Sequence, residues 1–214
     1  MIAYAYFHGF RSSPSAKKGT HLRDAFAPLG IEFLLPDLNQ PSFAELSVLA
    51  MIAHLDRLHE ERGAPEWRIV GSSLGGWVAA RWAELHPDRV DRLVLLCPAF
   101  DLASRWPDIL GAEDFARWKR DGEIKTDDAW GRTQRLHFGF YEEAARQPAW
   151  PRVSCPTTIV HGTRDETVPI ACSRRWVRDQ PDADLIEVDD AHDLLASLDV
   201  IDRAVRDRFG IAED

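Results

Sequence analysis

The sequence has few cysteines and no tract of basic residues. Its three cysteines, Cys97, Cys155 and Cys172, have no Cys-x-x-Cys spacing, so neither a disulfide framework nor a thiolate zinc site is predicted. Lys and Arg number 26 against 35 Asp and Glu, which is a formal net charge of −9. A chain this acidic repels a phosphate backbone. We therefore expect buried, unpaired cysteines and no nucleic-acid partner.

Long hydrophobic runs are absent as well. The best apolar run, 93–100, is far shorter than the roughly 20 residues of a membrane-spanning helix. The amino terminus enters a β-type run at 2–7 without the features of a signal peptide. These absences predict a cytoplasmic protein with no membrane span. With 214 residues, of which 45% are hydrophobic, the chain is long enough for one domain with a substantial core.

Short β-type runs alternate with helical patterns along the chain. The predicted strands are 2–7, 31–35, 67–71, 92–97, 157–161 and 184–188. The predicted helices between them are at about 16–28, 43–62, 74–86, 170–179 and 193–208. Such alternation is typical of an α/β protein in which helices cover both faces of a parallel sheet.

One connection is about twice as long as the others. About sixty residues separate the fourth predicted strand from the fifth, and residues 100–150 carry nine of the 21 aromatic side chains. Helical patterns occur there at about 102–109, 112–120, 126–131 and 138–146. They predict a helical cap at 100–150. Its aromatics either form the core of the cap or contact substrate, with Trp118 and Phe138 as the candidates for substrate binding.

A Gly-x-Ser-x-Gly motif at 71–75 lies between a predicted strand and a predicted helix. A tight turn from strand to helix requires small residues two before and two after the serine, and it exposes the serine oxygen at the amino end of the helix. The motif predicts Ser73, not Ser72, as a nucleophile. The alternatives are a solvated serine in a glycine-rich turn and a phosphate loop, but Trp77 stands where a phosphate loop needs lysine.

A serine nucleophile requires a base, and the base requires a carboxylate that fixes its tautomer. In folds with this motif the carboxylate and then the histidine follow the serine along the chain. His192 is the only one of eight histidines beyond residue 165 and lies in an acidic loop after the last predicted strand. We predict that His192 is the base, a solvated surface histidine being the alternative. For the acid, Asp165 is favoured over Glu166 and the more distant Asp101.

Two backbone N–H groups are predicted to bind the oxyanion. One belongs to Leu74, the residue after the nucleophile, and the other to Phe10 in the loop after the first strand. Gly9 allows that loop to turn. His8 is expected to hold the loop, since Ser73 can use only one base.

The motifs together resemble those of the small α/β-hydrolases, and the resemblance covers nearly the whole chain. They are His-Gly-Phe-x-Ser-Ser-Pro at 8–14, Gly-x-Ser-Leu-Gly-Gly at 71–76, His-Gly-x-x-Asp-x-x-Val-Pro at 161–169 and the acidic loop with His192. The start at 7–14 is similar to the bacterial YqiA-type esterases. The long insertion and Gly75-Gly76-Trp77 look more like the mitochondrial depalmitoylase and acyl-glucuronide esterase branch.

The resemblance implies an α/β-hydrolase fold over 1–214. We expect a mainly parallel six-stranded sheet in the spatial order 2-1-3-4-5-6, flanked by helices. The expected function is hydrolysis of an ester or thioester of a small, mainly apolar acyl group through Ser73, Asp165 and His192. A non-catalytic ligand-binding protein, a C–C hydrolase and a small peptidase are the alternatives.

No cofactor or metal is expected. His54 and His59 lie five residues apart on one predicted helix, and that spacing does not place them on one face for a shared ion. The predicted partner is a small-molecule ester or thioester.

Overall fold

The computed structural model of the chain describes residues 1–212, so the last two residues of the predicted domain lie outside the described part. The first half contains β1 (Ile2–Phe7), α1 (Lys17–Phe26), β2 (Phe33–Leu34), α2 (Val48–Glu61), β3 (Glu66–Ser72), α3 (Leu74–Leu85) and β4 (Val90–Leu96). The second half contains α4 (Leu102–Leu110), α5 (Ala112–Asp121), β5 (Glu123–Asp127), β6 (Thr133–His137), α6 (Gly139–Ala145), β7 (Thr157–Gly162), α7 (Ile170–Arg178), β8 (Ala183–Val188) and α8 (Leu198–Phe209).

Six strands form the central sheet in the order β2-β1-β3-β4-β7-β8. Every neighbouring pair in it is parallel. Numbered among themselves, these strands have the order 2-1-3-4-5-6, so the predicted sheet is confirmed. The carboxyl ends of parallel strands lie at one edge, and β3, β7 and β8 bring the three loops with predicted site residues to that edge.

The two faces of the sheet bury different side chains because successive residues of a strand point to opposite sides. In β3, Ile69 packs on the side of α2, α3 and α7, whereas Val70 packs on the side of α1 and α8. Trp67, Trp82 and Trp176 are buried in the larger cluster, on the first side. Both faces are therefore covered, as the apolar strands predicted. Within residues 1–212 no helix has the length and apolar character needed to cross a membrane.

Two helices begin later than their sequence patterns indicate, and side-chain caps explain one of the starts. The helix α2 begins at Val48, not near 43, because the Ser47 hydroxyl accepts a hydrogen bond from the N–H of Ala50 at 3.0 Å. The helix α8 begins at Leu198, not 193. The segment before it is held in a loop by the Asp190 carboxylate, which accepts hydrogen bonds from the N–H of Ala196 and from the Ser197 hydroxyl.

Residues 101–150 make up most of the long connection between β4 and β7, and they contain a β-hairpin that was not predicted. The expected helix at 126–131 is wrong, since these residues form the end of β5 and the turn to β6, with which β5 pairs antiparallel. The Asp128 carboxylate accepts hydrogen bonds from the N–H groups of Trp130 and Arg132, at 2.9 and 3.0 Å. An aspartate that bonds the backbone two residues ahead favours a turn over a helix.

Polar contacts attach this connection to the sheet-bearing part of the chain. Glu143 of α6 accepts hydrogen bonds at 2.9 Å from the Ser47 hydroxyl and from the N–H of Leu49, at the start of α2. Arg11, in the loop after β1, donates to the carbonyl of Asp127 at 2.8 Å. These contacts place the hairpin beside the loop that carries Phe10.

Candidate active site

The turn between β3 and α3 has the strained backbone of a nucleophile elbow. Ser73 has φ 53° and ψ −119°, a conformation that a non-glycine residue rarely adopts outside functional turns. The turn is closed tightly around it. A Cβ on Gly71 would lie 2.7 Å from the carbonyl oxygen of Gly75, and a Cβ on Gly75 would collide with the carbonyl oxygens of Phe7 and His8. The motif therefore requires glycine at both flanking positions.

The structure brings Ser73, His192 and Asp165 together from three loops. The distance from His192 Nε2 to Ser73 Oγ is 3.0 Å, and Nδ1 of the same ring lies 2.6 Å from Asp165 Oδ2. With Nδ1–H donated to the carboxylate, Nε2 can accept the proton of the serine hydroxyl. Of the competing acids, Glu166 is exposed. Asp101 lies immediately before α4, where its N–H donates to the carbonyl of Ala149.

The Asp165 carboxylate is buried and fully hydrogen-bonded. Its Oδ1 accepts from the N–H groups of Thr167 and Val168 at 2.8 and 2.7 Å. Burial raises the pKa of this carboxyl, but the hydrogen bonds from His161 and His192 outweigh it and hold the pKa well below its usual range. Asp165 is thus ionised at neutral pH and can fix the tautomer of His192.

His161 is a second histidine at this carboxylate, and the sequence analysis assigned it no role. Its Nε2 lies 2.8 Å from the carbonyl oxygen of Val168 and 3.3 Å from Asp165 Oδ2. Its Nδ1 lies 2.7 Å from the Ser173 hydroxyl, which donates to it when Nε2 carries the proton. The signal in the sequence was its place in the His-Gly motif four residues before Asp165.

Asp190 is a further side chain beside this site that has no signal in the sequence. Its carboxylate accepts hydrogen bonds from the N–H of Ala191 at 2.7 Å, the N–H of Ala196 at 3.0 Å and the Ser197 hydroxyl at 2.8 Å. The loop that carries His192 is thereby closed on itself. In addition, the N–H of Arg164 donates to the carbonyl of Asp190 at 3.0 Å, which ties the acid loop to the histidine loop.

The loop after β1 is held by His8, as predicted from the sequence. The ring of His8 is buried; its Nδ1 donates to the carbonyl of Gly9 and its Nε2 accepts from the N–H of Leu38, both at 2.9 Å. In this arrangement the loop after β1 packs closely against the turn that carries Ser73. A Cβ on Gly9 would lie only 3.1 Å from the Cβ of Ser73.

Leu74 directly follows Ser73, and Phe10 lines the same cavity as Ser73. Neither of them donates a backbone hydrogen bond within residues 1–212. Leu74 is the first residue of α3, where the initial N–H groups have no partner in the helix. The two amides therefore have no backbone acceptor, which is a condition that the donors of an oxyanion site must meet.

A cavity of about 370 Å³ opens beside Ser73 and His192 and is bounded by the connection 101–150. Its wall is mainly apolar. The wall includes Leu102, Trp106, Leu110, Ile124, Leu136 and Val168. The ring of Phe10 also lines it and stacks on Phe140, with 5.9 Å between ring centroids.

Trp118 and Phe138, the aromatics predicted to contact substrate, do not line this cavity. Trp118 is fully buried and packs edge-on against Trp106 and Phe138, with ring centroids 5.2 Å apart in both pairs. Its indole N–H donates to the carbonyl of Leu136 at 2.9 Å. Both predicted side chains therefore lie one layer behind the wall and support Trp106 and Leu136.

Cys97 is the nearest side chain that could complete a metal site. Its Sγ lies within 4.8 Å of ligand atoms of Asp165 and His192. Burial, however, raises the pKa of the Cys97 thiol far above its usual value, and only the thiolate is a good metal ligand. The carboxylate and the imidazole are also hydrogen-bonded to each other. The donor set suits a proton-transfer pair better than a metal.

Comparison with known families agrees with this fold and site. Residues 3–206 match the family described as uncharacterised protein family UPF0227. The chain belongs to UPF0227. A curated relative of this UPF0227 protein is the pimeloyl-acyl-carrier-protein methyl ester esterase of Chromobacterium violaceum, which is 30% identical over 152 residues. The match spans 56% of this chain and 60% of that esterase, so less than two thirds of the esterase is covered.

A second relative of the UPF0227 chain is similar in both sequence and structure. The mitochondrial palmitoyl-protein thioesterase ABHD10 of Rattus norvegicus is 25% identical over 217 residues, which cover 91% of this chain and 73% of the relative. The structure of α/β hydrolase domain-containing protein 10 from mouse superposes with a TM-score of 0.77 at 23% identity, over 96% of this chain and 90% of the other. The UPF0227 chain has the α/β-hydrolase fold that its motifs predicted.

Proposed function

We propose that this protein is a serine hydrolase that cleaves an ester or thioester of a mainly apolar acyl group through an acyl-enzyme on Ser73. The observation that carries the proposal is the pair of hydrogen bonds from one imidazole. His192 lies 3.0 Å from the Ser73 hydroxyl and 2.6 Å from the Asp165 carboxylate. A serine, a base and an ionised orienting carboxylate in this geometry are the parts of acyl transfer.

The first half of the reaction forms the acyl-enzyme. Ser73 Oγ attacks the acyl carbonyl while its proton moves to His192 Nε2. Asp165 stays ionised and stabilises the imidazolium. The carbonyl oxygen becomes negative and accepts hydrogen bonds from the N–H groups of Phe10 and Leu74. His192 then gives its proton to the departing oxygen or sulfur, and the acyl group remains on Ser73.

The second half consumes water. His192 takes a proton from a water molecule, whose oxygen attacks the acyl carbonyl, and the proton then returns to Ser73 Oγ as the acid leaves. The same two N–H groups stabilise the second negative oxygen. Neither step calls for a metal ion or a cofactor.

The segment 100–150 acts as a cap that selects the acyl group. It supplies much of the apolar wall around the cavity of about 370 Å³ beside Ser73, and this wall favours an apolar acyl chain over a charged one. The two relatives support this class of reaction, since one is named as a methyl ester esterase and the other as a palmitoyl-protein thioesterase.

A fluorophosphonate probe tests the proposal. It should label the purified protein on one serine, and peptide mass spectrometry should place the label on Ser73. Ser73→Ala should abolish labelling and lower ester turnover on the order of 10³-fold or more. Ser154→Ala is the matched control, because Ser154 is exposed and outside the site, and it should label like the wild type.

The outcome separates the alternatives. A folded protein that neither labels nor hydrolyses any ester, thioester, peptide or C–C substrate supports a ligand-binding protein on this fold. Labelling of Ser73 with turnover only of a peptide or a C–C bond retains the machinery and rejects the ester. Label on another serine rejects the elbow as the nucleophile.

A further inference from the structure

Ser73 and His192 border a second cavity in addition to the one proposed for the acyl group. This cavity has a volume of about 290 Å³ and lies between the start of α1 and the loop that carries His192. The Phe10 loop borders both cavities, and the two share Phe10, Ser73 and His192. Ser73 therefore faces two spaces, one beside the connection 101–150 and one beside the start of α1.

Two lysine side chains line the second cavity next to the loop of His192, in a wall that is otherwise largely apolar and that also includes Asp193. Lys17, Lys18 and Ser12 contribute to it. The Lys18 ammonium donates one hydrogen bond, 2.6 Å long, to the carbonyl of Asp193, the residue after His192. An ammonium has three N–H donors. Lys18 is thus held beside the catalytic histidine with donors to spare, and Lys17 is exposed beside it.

The charges around Lys18 do not neutralise it by direct pairing. Within residues 1–212, neither Lys17 nor Lys18 has a carboxylate within 4 Å. Burial lowers the pKa of Lys18, while the negative charges of Asp193, Asp190 and Asp165 partly offset that effect. A bound anion would add to the stabilisation of the ammonium.

The mechanism indicates which part of the substrate occupies the second cavity. His192 must protonate the departing atom, so the leaving group lies on the side of the imidazole. The loop of His192 forms one wall of the second cavity through His192, Asp193 and Leu195. The acyl chain then occupies the apolar cavity, and the alcohol or thiol occupies the cavity with the lysines.

We propose that Lys18 and Lys17 bind an anionic group, a carboxylate or a phosphate, on the leaving group of the substrate. The inference rests on the proposed function, because it assigns the second half of the same ester. It adds a charge preference for the leaving group to the apolar preference proposed for the acyl chain. The net charge of −9 means that the protein as a whole repels anions. A preference for an anionic ester would therefore come from a local cationic site.

Esters that share one acyl group and differ in the charge of the leaving group test this assignment. The probes are the butyrate esters of 3-hydroxybenzamide, which is neutral, 3-hydroxybenzoate and 3-hydroxyphenyl phosphate. The kcat/KM of each is measured at low and high salt for the wild type, Lys18→Gln and Lys17→Gln. Lys119→Gln is the control with the same loss of charge, since Lys119 is exposed on α5 and outside both cavities.

The wild type should prefer at least one anionic ester to the neutral ester by about fivefold, and salt should reduce the preference. Lys18→Gln should lower the kcat/KM of the anionic ester to that of the neutral ester measured with the same variant, and Lys17→Gln should reduce the difference between the two esters. The benzoate and phosphate arms show which anion fits. Lys119→Gln should keep the full preference.

Each contrary result has its own meaning. Equal turnover of neutral and anionic esters by the wild type overturns the anion site and leaves the serine hydrolase intact. An equal fall for all three esters in Lys18→Gln means that Lys18 only holds the histidine loop. A wild type that hydrolyses none of the esters, and whose Ser73 takes no fluorophosphonate, overturns the proposed function together with this one.

Discussion

His161 and His192 share one oxygen of Asp165: Oδ2 lies 3.3 Å from Nε2 of His161 and 2.6 Å from Nδ1 of His192. The side chains of His161 and Asp165 are completely buried. His161 therefore fixes the position of the Asp165 carboxylate, and the carboxylate in turn orients the ring of His192. In the proposed mechanism, His161 is a positioning residue that acts on Ser73 through Asp165 and His192.

Removing the donor at position 161 should slow the reaction without weakening substrate binding. His161→Leu should lower kcat by about tenfold or more, with KM nearly unchanged, because partners that orient a reacting side chain typically contribute 10- to 100-fold. Loss of this hydrogen bond also raises the pKa of Asp165, so the variant should lose less stability than the wild type as the pH falls below about 4. His161→Gln keeps an N–H donor and should recover part of kcat.

Steady-state kinetics, with thermal unfolding of each variant across pH, check this role. His54→Leu, on the partly exposed side of α2, is the control for replacing a histidine. If the Leu and Gln variants lose kcat equally and both lose stability with falling pH as the wild type does, His161 serves only to fill the core.

The acid loop offers two adjacent carboxylates with opposite surroundings. Asp165→Asn should lower kcat by orders of magnitude, because an amide does not hold the imidazole in the required tautomer. Glu166→Gln should change kcat little, since Glu166 is exposed. Single-turnover kinetics of both variants decide the assignment. A larger loss in Glu166→Gln would move the role of the acid to that residue.

The same carboxylate should affect stability as a function of pH. The pKa of folded Asp165 lies below its unfolded value of about 3.9. Its ionisation therefore adds stability above about pH 4, and this contribution is lost as the pH falls further towards the folded pKa. Urea unfolding between pH 7 and pH 3 should show a steeper loss for the wild type than for Asp165→Asn. Parallel curves would contradict the depressed pKa.

The sequence predicts which side chains meet at Ser73 better than it predicts the elements around them. Ser73, Asp165 and His192 could be located because each follows a short apolar strand and because the chain order of such partners is constrained. The late start of α8 could not be predicted, since it depends on the Asp190 carboxylate, which bonds the chain at 196–197. That contact has no periodic signal.

The hairpin and the aromatic layers show a similar limit. Residues 126–131 have a helix-like pattern, but β5 gains a partner in β6 only once the chain has turned at Asp128. Likewise, composition shows that 100–150 is rich in aromatics but not which ring lies in front. Trp106 lines the cavity and Trp118 packs behind it, because depth depends on tertiary packing.

The apolar wall of the cavity beside Ser73 should make activity depend on the length of the acyl chain. Activity should rise from acetyl toward medium-chain esters, because each buried methylene contributes up to about 0.8 kcal/mol, roughly fourfold in kcat/KM. It should fall once the cavity is full. Ile109 lines this cavity and is 42% exposed, and Leu85, at the end of α3 and outside the cavity, has the same exposure.

These two residues form a matched pair for measuring the profile. Ile109→Ser should flatten the rise with chain length and leave the acetyl ester unaffected, because the short acyl group does not reach the rim. Leu85→Ser removes a similar exposed apolar side chain and should keep the wild-type profile. The measurement is kcat/KM for p-nitrophenyl esters of graded length. A wild-type profile that falls from acetyl onward, or identical profiles for the two variants, would show that the acyl group binds elsewhere.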